Sequence, residues 1–128
     1  MPVSPEDIFN YSKEIKQIAQ PREIEYRSGT SKAYYACYHK AHSMLENKVA
    51  FSAASHDSFT CYLKASAHLN EDKLSKNELK TLSYKLINIK TLRTLADYRT
   101  TEEVDKRVYD EALALCEDFF LYCNDIIQ

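Results

Sequence analysis

A single glycine, Gly29, and three prolines in 128 residues leave this chain few means of turning tightly. β-Hairpins close through turns whose positive φ angles select glycine, so a sandwich or barrel built from many hairpins is excluded. The same scarcity excludes a glycine-rich phosphate loop, a collagen repeat and a Pro/Gly-rich linker. Hydrophobic residues make up 45% of the chain and charged residues 28%, enough apolar material for a core and too much for a disordered tail. At this length a second domain would leave each with a meagre core. The expectation is all-α: a four- to five-helix up-and-down bundle forming a single helical domain over residues 1–128.

Start signals and periodicity place the helices. Ser4-Pro5-Glu6-Asp7 combines an N-cap serine, a proline at the first helical position and acids in the first turn. Ile8, Tyr11, Ile15 and Ile18 then recur at helical spacing, until Pro21 ends that helix or starts the next. A second helix is expected from about Arg22 to Asn47, with Tyr34, Cys37, Tyr38, Ala41, Met44 and Leu45 on one stripe. After a loop from Lys48 to Ser55, Ser55-His56-Asp57 opens a short third helix that turns Phe59, Tyr62 and Leu63 inward and ends near Asn70. Ser75-Lys76-Asn77-Glu78 fits a capping box and opens a fourth, with Leu79, Leu82, Leu86, Ile89 and Ala96 on one face. Thr100-Thr101-Glu102-Glu103 repeats the signal for a fifth. That helix has two neighbouring apolar stripes, Val104/Val108/Ala112/Leu115/Phe119/Tyr122/Ile126 and Tyr109/Leu113/Cys116/Phe120/Cys123/Ile127. So wide an arc suits either the central helix of the bundle or half of a subunit interface.

Charge and cysteine usage set the setting. Seventeen Lys plus Arg against nineteen Asp plus Glu give a net charge of −2, so no global basic field draws the chain to nucleic acid or membrane. No apolar stretch approaches the roughly 20 residues that span a bilayer, and the N-terminus lacks the pattern of a secretory signal. Cys37, Cys61, Cys116 and Cys123 fall inside apolar helical patterns without any C-x-x-C pair, which reads as buried thiols of a cytoplasmic protein.

Two arginines interrupt the apolar stripes. Arg27 shares a face with Ser31, Tyr34, Tyr38 and Ala41, and Arg93 sits between Ile89 and Ala96 on the fourth helix. A guanidinium keeps its proton, so burial requires an acidic partner or an anionic ligand. One reading is internal ion pairing, Arg93 with Asp97 four residues on and Arg27 with another carboxylate. The other is a polar pocket at one end of the bundle, shaped for phosphate. Gly29 lies inside the same helix, where it costs about 1 kcal/mol relative to alanine; close helix packing or a kink near Arg27 would explain it. His39 and His42 are three apart, but no further ligand set accompanies them, and they read as surface residues rather than a metal site. No metal or other cofactor is expected, and no serine or cysteine stands in a recognisable nucleophile setting. Ten tyrosines without a tryptophan supply either interhelical packing or stacking surfaces for unpaired bases.

Arg27-Ser28-Gly29-Thr30-Ser31-Lys32-Ala33-Tyr34-Tyr35-Ala36, followed by Arg93-Thr94-Leu95-Ala96-Asp97-Tyr98, resembles the HEPN superfamily. It is most similar to a branch of small bacterial proteins with an R-S-x-x-S-R-A-Y-Y-A helix and a later R-x-x-A-D-Y element. The similarity extends over about residues 20–125, and Lys32 replaces the branch's usual arginine. The resemblance implies a HEPN-like bundle that forms a homodimer, often paired with a nucleotidyltransferase partner protein. Many members are metal-independent endoribonucleases of toxin–antitoxin and antiviral defence systems. In them an arginine, followed after four to six residues by a histidine, stabilises phosphate charge while the histidine moves protons.

Here no histidine follows any arginine at that spacing, and Tyr98 takes the corresponding place after Arg93. A phenol ordinarily titrates near 10, poorly matched to general-base work at neutral pH. The resemblance therefore assigns Arg27, Arg93 and Lys32 to RNA or phosphate binding. Ser31, Tyr34 and Asp97 become pocket residues, and Arg93 with Tyr98 or His56 the candidate catalytic set. It leaves open an RNA- or nucleotide-binding module, an active endoribonuclease, a non-catalytic interaction module that docks a second copy or a nucleotidyltransferase, and nucleotide transfer from such a partner onto Tyr98.

Overall fold

The computed structural model describes residues 3–44 and 74–127, apart from the side chain of Lys76. Four α-helices account for most of them: α1 (Pro5–Lys13), α2 (Glu23–Ser43), α3 (Lys76–Tyr98) and α4 (Lys106–Ile126), with a 3-10 turn at Glu14–Gln17 after α1. Among the described residues there is no strand. The expected loop at 48–55, the short helix after His56, Leu45 and Cys61 lie outside the described residues.

Interhelical pairs fix the directions. Lys40 late in α2 meets Glu6 early in α1 at 2.9 Å, so these two helices run antiparallel. Ser31 of α2 bonds Asp97 of α3, whereas Tyr35, one turn on, bonds Arg93, one turn back, so α3 opposes α2. Lys85 meets Asp118 at 2.6 Å, which makes α4 oppose α3. The result is an up-and-down bundle in which α2 packs against each of the other three helices. That centre is α2, where the doubled stripe had suggested the last helix. Both expected stripes still serve the core: Tyr109, Leu113, Cys116, Phe120 and Cys123 are buried from one, Ala112, Phe119 and, just before α4, Val104 from the other.

Sequence spacing located the starts of α1 and α3 well and that of α4 less completely. Ser4 and Asp7 exchange bonds of 2.9 and 3.0 Å as a capping box, and Ser75 and Glu78 do the same at 2.8 and 3.1 Å. The buried face of α1 and its 3-10 turn, however, is Phe9, Ser12 and Ile15, leaving Tyr11 55% and Ile18 38% exposed. Polar bonds set this rotation. The Ser12 hydroxyl donates to the Gly29 carbonyl at 2.7 Å, while the Ser12 carbonyl accepts from the Tyr109 hydroxyl at 2.6 Å. Phe9 then packs on Phe120 with ring centroids 5.2 Å apart. The last helix begins at Lys106, not at Thr100. Its cap is Asp105, whose carboxylate accepts from the Arg107 and Val108 amides at 3.1 and 3.3 Å.

The core thiols behave as small apolar groups. Cys37, Cys116 and Cys123 are free and buried. Burial pushes the Cys37 thiol well above its ordinary value and Cys123 up to about 12, so neither is a thiolate near neutrality.

At Gly29, α2 is pressed against Tyr109 of α4 and Ile15 of the 3-10 turn. A Cβ there would lie 2.5 Å from Tyr109 Cε1 and 3.0 Å from Ile15 Cγ1. The Tyr109 ring is fully buried with its hydroxyl committed to Ser12, so it has little room to yield. Helix propensity alone would make Gly29→Ala gain about 1 kcal/mol, but overpacking costs about 1–3 kcal/mol. The variant should therefore have a lower urea midpoint than the parent; a raised midpoint would show that the ring moves freely.

Candidate functional site

The two arginines singled out by the sequence both reach the C-terminal end of α3, and they meet it in different ways. A helix end leaves its last carbonyls without intrahelical donors. Arg27, projecting from the first turns of α2, supplies them: Nη1 donates to the Leu95 and Ala96 carbonyls at 3.2 and 3.0 Å. Nη2 donates to the Arg99 carbonyl at 3.2 Å and to that of Glu102, and Nε donates to Glu23 Oε2 at 2.9 Å. A guanidinium has five N–H donors, and each of these has a partner.

The same cluster explains where α4 begins. With the Arg99 and Glu102 carbonyls turned onto Arg27, residues 99–105 form a connector instead of a helical turn. Val104 is fully buried under it, and its amide approaches Glu23 Oε2 at 3.4 Å. The Arg27 hydrogen bond, together with the Val104 amide, holds the Glu23 carboxyl below its ordinary value.

Arg93 has a different shell. Its Nη2 donates to the Tyr35 hydroxyl at 2.9 Å and to the Tyr98 hydroxyl at 3.3 Å. The guanidinium lies 5.5, 5.4 and 5.1 Å from the ring centroids of Tyr34, Tyr35 and Tyr98, within cation–π range. Asp97 Oδ2 is 3.0 Å from Nε, the ion pair that the i,i+4 spacing anticipated. The buried Nε–H is nevertheless not aimed for a hydrogen bond, so the contact is one of charge. Nη1 has no acceptor among the described residues. Burial works against the charge, but the Tyr35 hydroxyl and the neighbouring Tyr98 and Asp97 outweigh it and raise Arg93 above the usual guanidinium value.

Around this cation the remaining candidates fall into place. Ser31 donates its hydroxyl to Asp97 Oδ2 at 3.1 Å, which orients the carboxylate. Tyr34 is fully buried beneath Arg93, and Tyr98 is 65% exposed above it. Lys32 is exposed, with Nζ 5.9 Å from the Tyr35 ring centroid, so Lys32 and Arg93 both flank that ring. Tyr35 is the residue that sequence reasoning passed over in favour of Tyr34. The signal was its position four residues after Ser31, on the side of α2 that faces Arg93. Beyond Tyr35, a groove of about 630 Å³ runs past Lys32, Tyr11 and His39. Partial burial holds the His39 imidazole below its ordinary value. His56, the other catalytic candidate, lies outside the described residues.

Arg27 and Arg93 share no partner, so the expected common hollow resolves into a clamp and a separate aromatic site. Among the described residues no group of three or more His, Cys, Asp or Glu side chains is placed to hold a metal ion. Nor is any of their helices long and apolar enough to cross a membrane. No family model, no curated protein and no solved structure matches the chain.

Removing the clamp should unravel the α3–α4 connection. Arg27→Ala orphans carbonyls at a helix end and should cost about 3 kcal/mol or more in urea unfolding; a loss near zero would mean that water replaces it. The Glu23 linkage has a definite sign. A carboxyl held low in the folded state contributes stability above its ordinary range, and that contribution is lost as pH falls through the lowered value. Glu23→Gln should therefore flatten the stability–pH curve between about pH 5 and 3, and an unchanged slope would contradict the pairing.

Proposed function

We propose that this chain is a HEPN-like module that engages RNA or nucleotide phosphate through the Arg93 site as a homodimer, binding its ligand without cutting it. The observation that carries this reading is the contrast between the arginines. Arg27 has every donor occupied by protein, whereas Arg93 keeps an Nη1 edge without an acceptor among the described residues, inside a frame of tyrosines. Phosphate recognition needs a guanidinium edge with donors to give. Exposed Tyr98 and partly exposed Tyr35 add π-faces on which an unpaired base can stack, and Lys32 adds a second cation beside them. In this reading Asp97 and Ser31 position Arg93, and Arg27 contributes only by holding the end of α3 on which Arg93, Asp97 and Tyr98 sit.

The non-catalytic form is favoured because the described groups around Arg93 are phenols, a carboxylate paired with the cation and a serine hydroxyl bonded to that carboxylate. None of these is an imidazole able to pass a proton at neutral pH. What the resemblance to HEPN proteins implies for such a module is a cytoplasmic toxin–antitoxin or antiviral defence system, with a nucleotidyltransferase as the protein partner.

Fluorescence anisotropy with a short labelled oligoribonucleotide in EDTA tests the proposal. Binding should weaken about tenfold in Arg93→Gln, the loss of one charge-assisted phosphate contact, with an unaltered circular dichroism spectrum. No 2′,3′-cyclic phosphate ends should form. Cleavage lost in Arg93→Gln would establish the endoribonuclease reading instead, and equal binding by both proteins would remove Arg93 from the site.

A further inference from the structure

A cavity of about 660 Å³, with no lining residue from α3, opens between α1, its 3-10 turn, the start of α2 and the first half of α4. Its size falls in the range of small-molecule sites, about 300–1,000 Å³. Buried Phe9, Tyr109 and Leu113 form an apolar floor, and the Tyr26 and Tyr109 rings, with centroids 5.7 Å apart, form an aromatic wall. Tyr109 brings no free polar group, because its hydroxyl is bonded to the Ser12 carbonyl.

The polar groups at the mouth have an uneven charge balance. Lys106 and Asp110 neutralise one another at 2.6 Å. Lys13 rests its ammonium 4.4 Å from the Phe9 ring centroid and has no carboxylate partner among the described residues. Lys16, which lines the same cavity, also lacks one, and the Tyr26 hydroxyl has no hydrogen-bond partner among them. Glu117 lines the cavity on the α4 side without pairing either lysine. Two unpaired ammonium groups and a free phenol above an aromatic floor are the complement of a flat ring bearing one anionic group.

We infer that this cavity is a second binding site, independent of Arg93, for an aromatic anion whose ring lies against Tyr26, Phe9 and Leu113 and whose acidic group meets Lys13 and Lys16. An aryl carboxylate and a nucleoside monophosphate share this chemistry. Calorimetric titration with indole-3-acetate and, separately, with adenosine monophosphate tells them apart, and binding of either supports the site. Lys13→Gln/Lys16→Gln should weaken that binding about tenfold while the thermal midpoint stays with the parent. Ala114→Phe, which fills the cavity from an exposed position of α4, should abolish it. Failure of both probes to bind the parent protein would overturn the inference, and so would binding that neither variant alters.

Discussion

The end of α3 is held by a guanidinium. Helix termini ordinarily satisfy their last carbonyls with water, a glycine-based turn or nearby side chains, and this chain has spent its only glycine elsewhere. Arg27 reaches across from α2 and donates to carbonyls of α3 and of the connector that follows it. A cation at a helix C-terminus also meets the negative end of the helix dipole. Its charge is balanced by Glu23 one turn earlier on its own helix. One side chain thereby fixes where α3 stops, how the connector folds over Val104 and where α4 can start.

The candidate site inherits its geometry from that clamp. Arg93, Asp97 and Tyr98 occupy the last turns of α3, so the frame around Arg93 is only as rigid as the helix end itself. Ser31 and Tyr35, which complete the frame, lie four and eight residues beyond Arg27 on the same helix. The clamp and the candidate site are thus adjacent along α2, with Arg27 saturated chiefly by backbone and Arg93 of α3 left partly open. Gly29 between Arg27 and Ser31 lets α1 and α4 press close to this stretch and fix its position.

Much of the architecture was legible in the sequence because helical periodicity and capping chemistry are local. Ser4 and Ser75 caps, the stripe on α3 and the Arg93–Asp97 pair each involve residues within one or two turns. What was not legible is non-local. The rotation of α1 depends on Ser12 bonding to Gly29 and Tyr109, partners far along the chain, so hydrophobic spacing assigned Tyr11 and Ile18 inward when both are exposed. Thr100-Thr101-Glu102-Glu103 has the local form of a helix start, but its carbonyl partner is Arg27, which no window around residue 100 contains. The inward arginines were recognised as needing an acidic partner or an anionic ligand; that backbone carbonyls would also satisfy Arg27 is a tertiary fact. Tyr35 was missed for the same reason, since its role appears only once α3 lies beside α2.

That division of labour between two arginines can be read directly from side-chain N–H resonances during titration with a short oligoribonucleotide. The guanidinium protons of Arg27 should exchange slowly and keep their positions, whereas those of Arg93 should move as RNA is added. Shifts confined to Arg27, or two guanidinium groups exchanging as freely as hydrated surface arginines, would contradict the account.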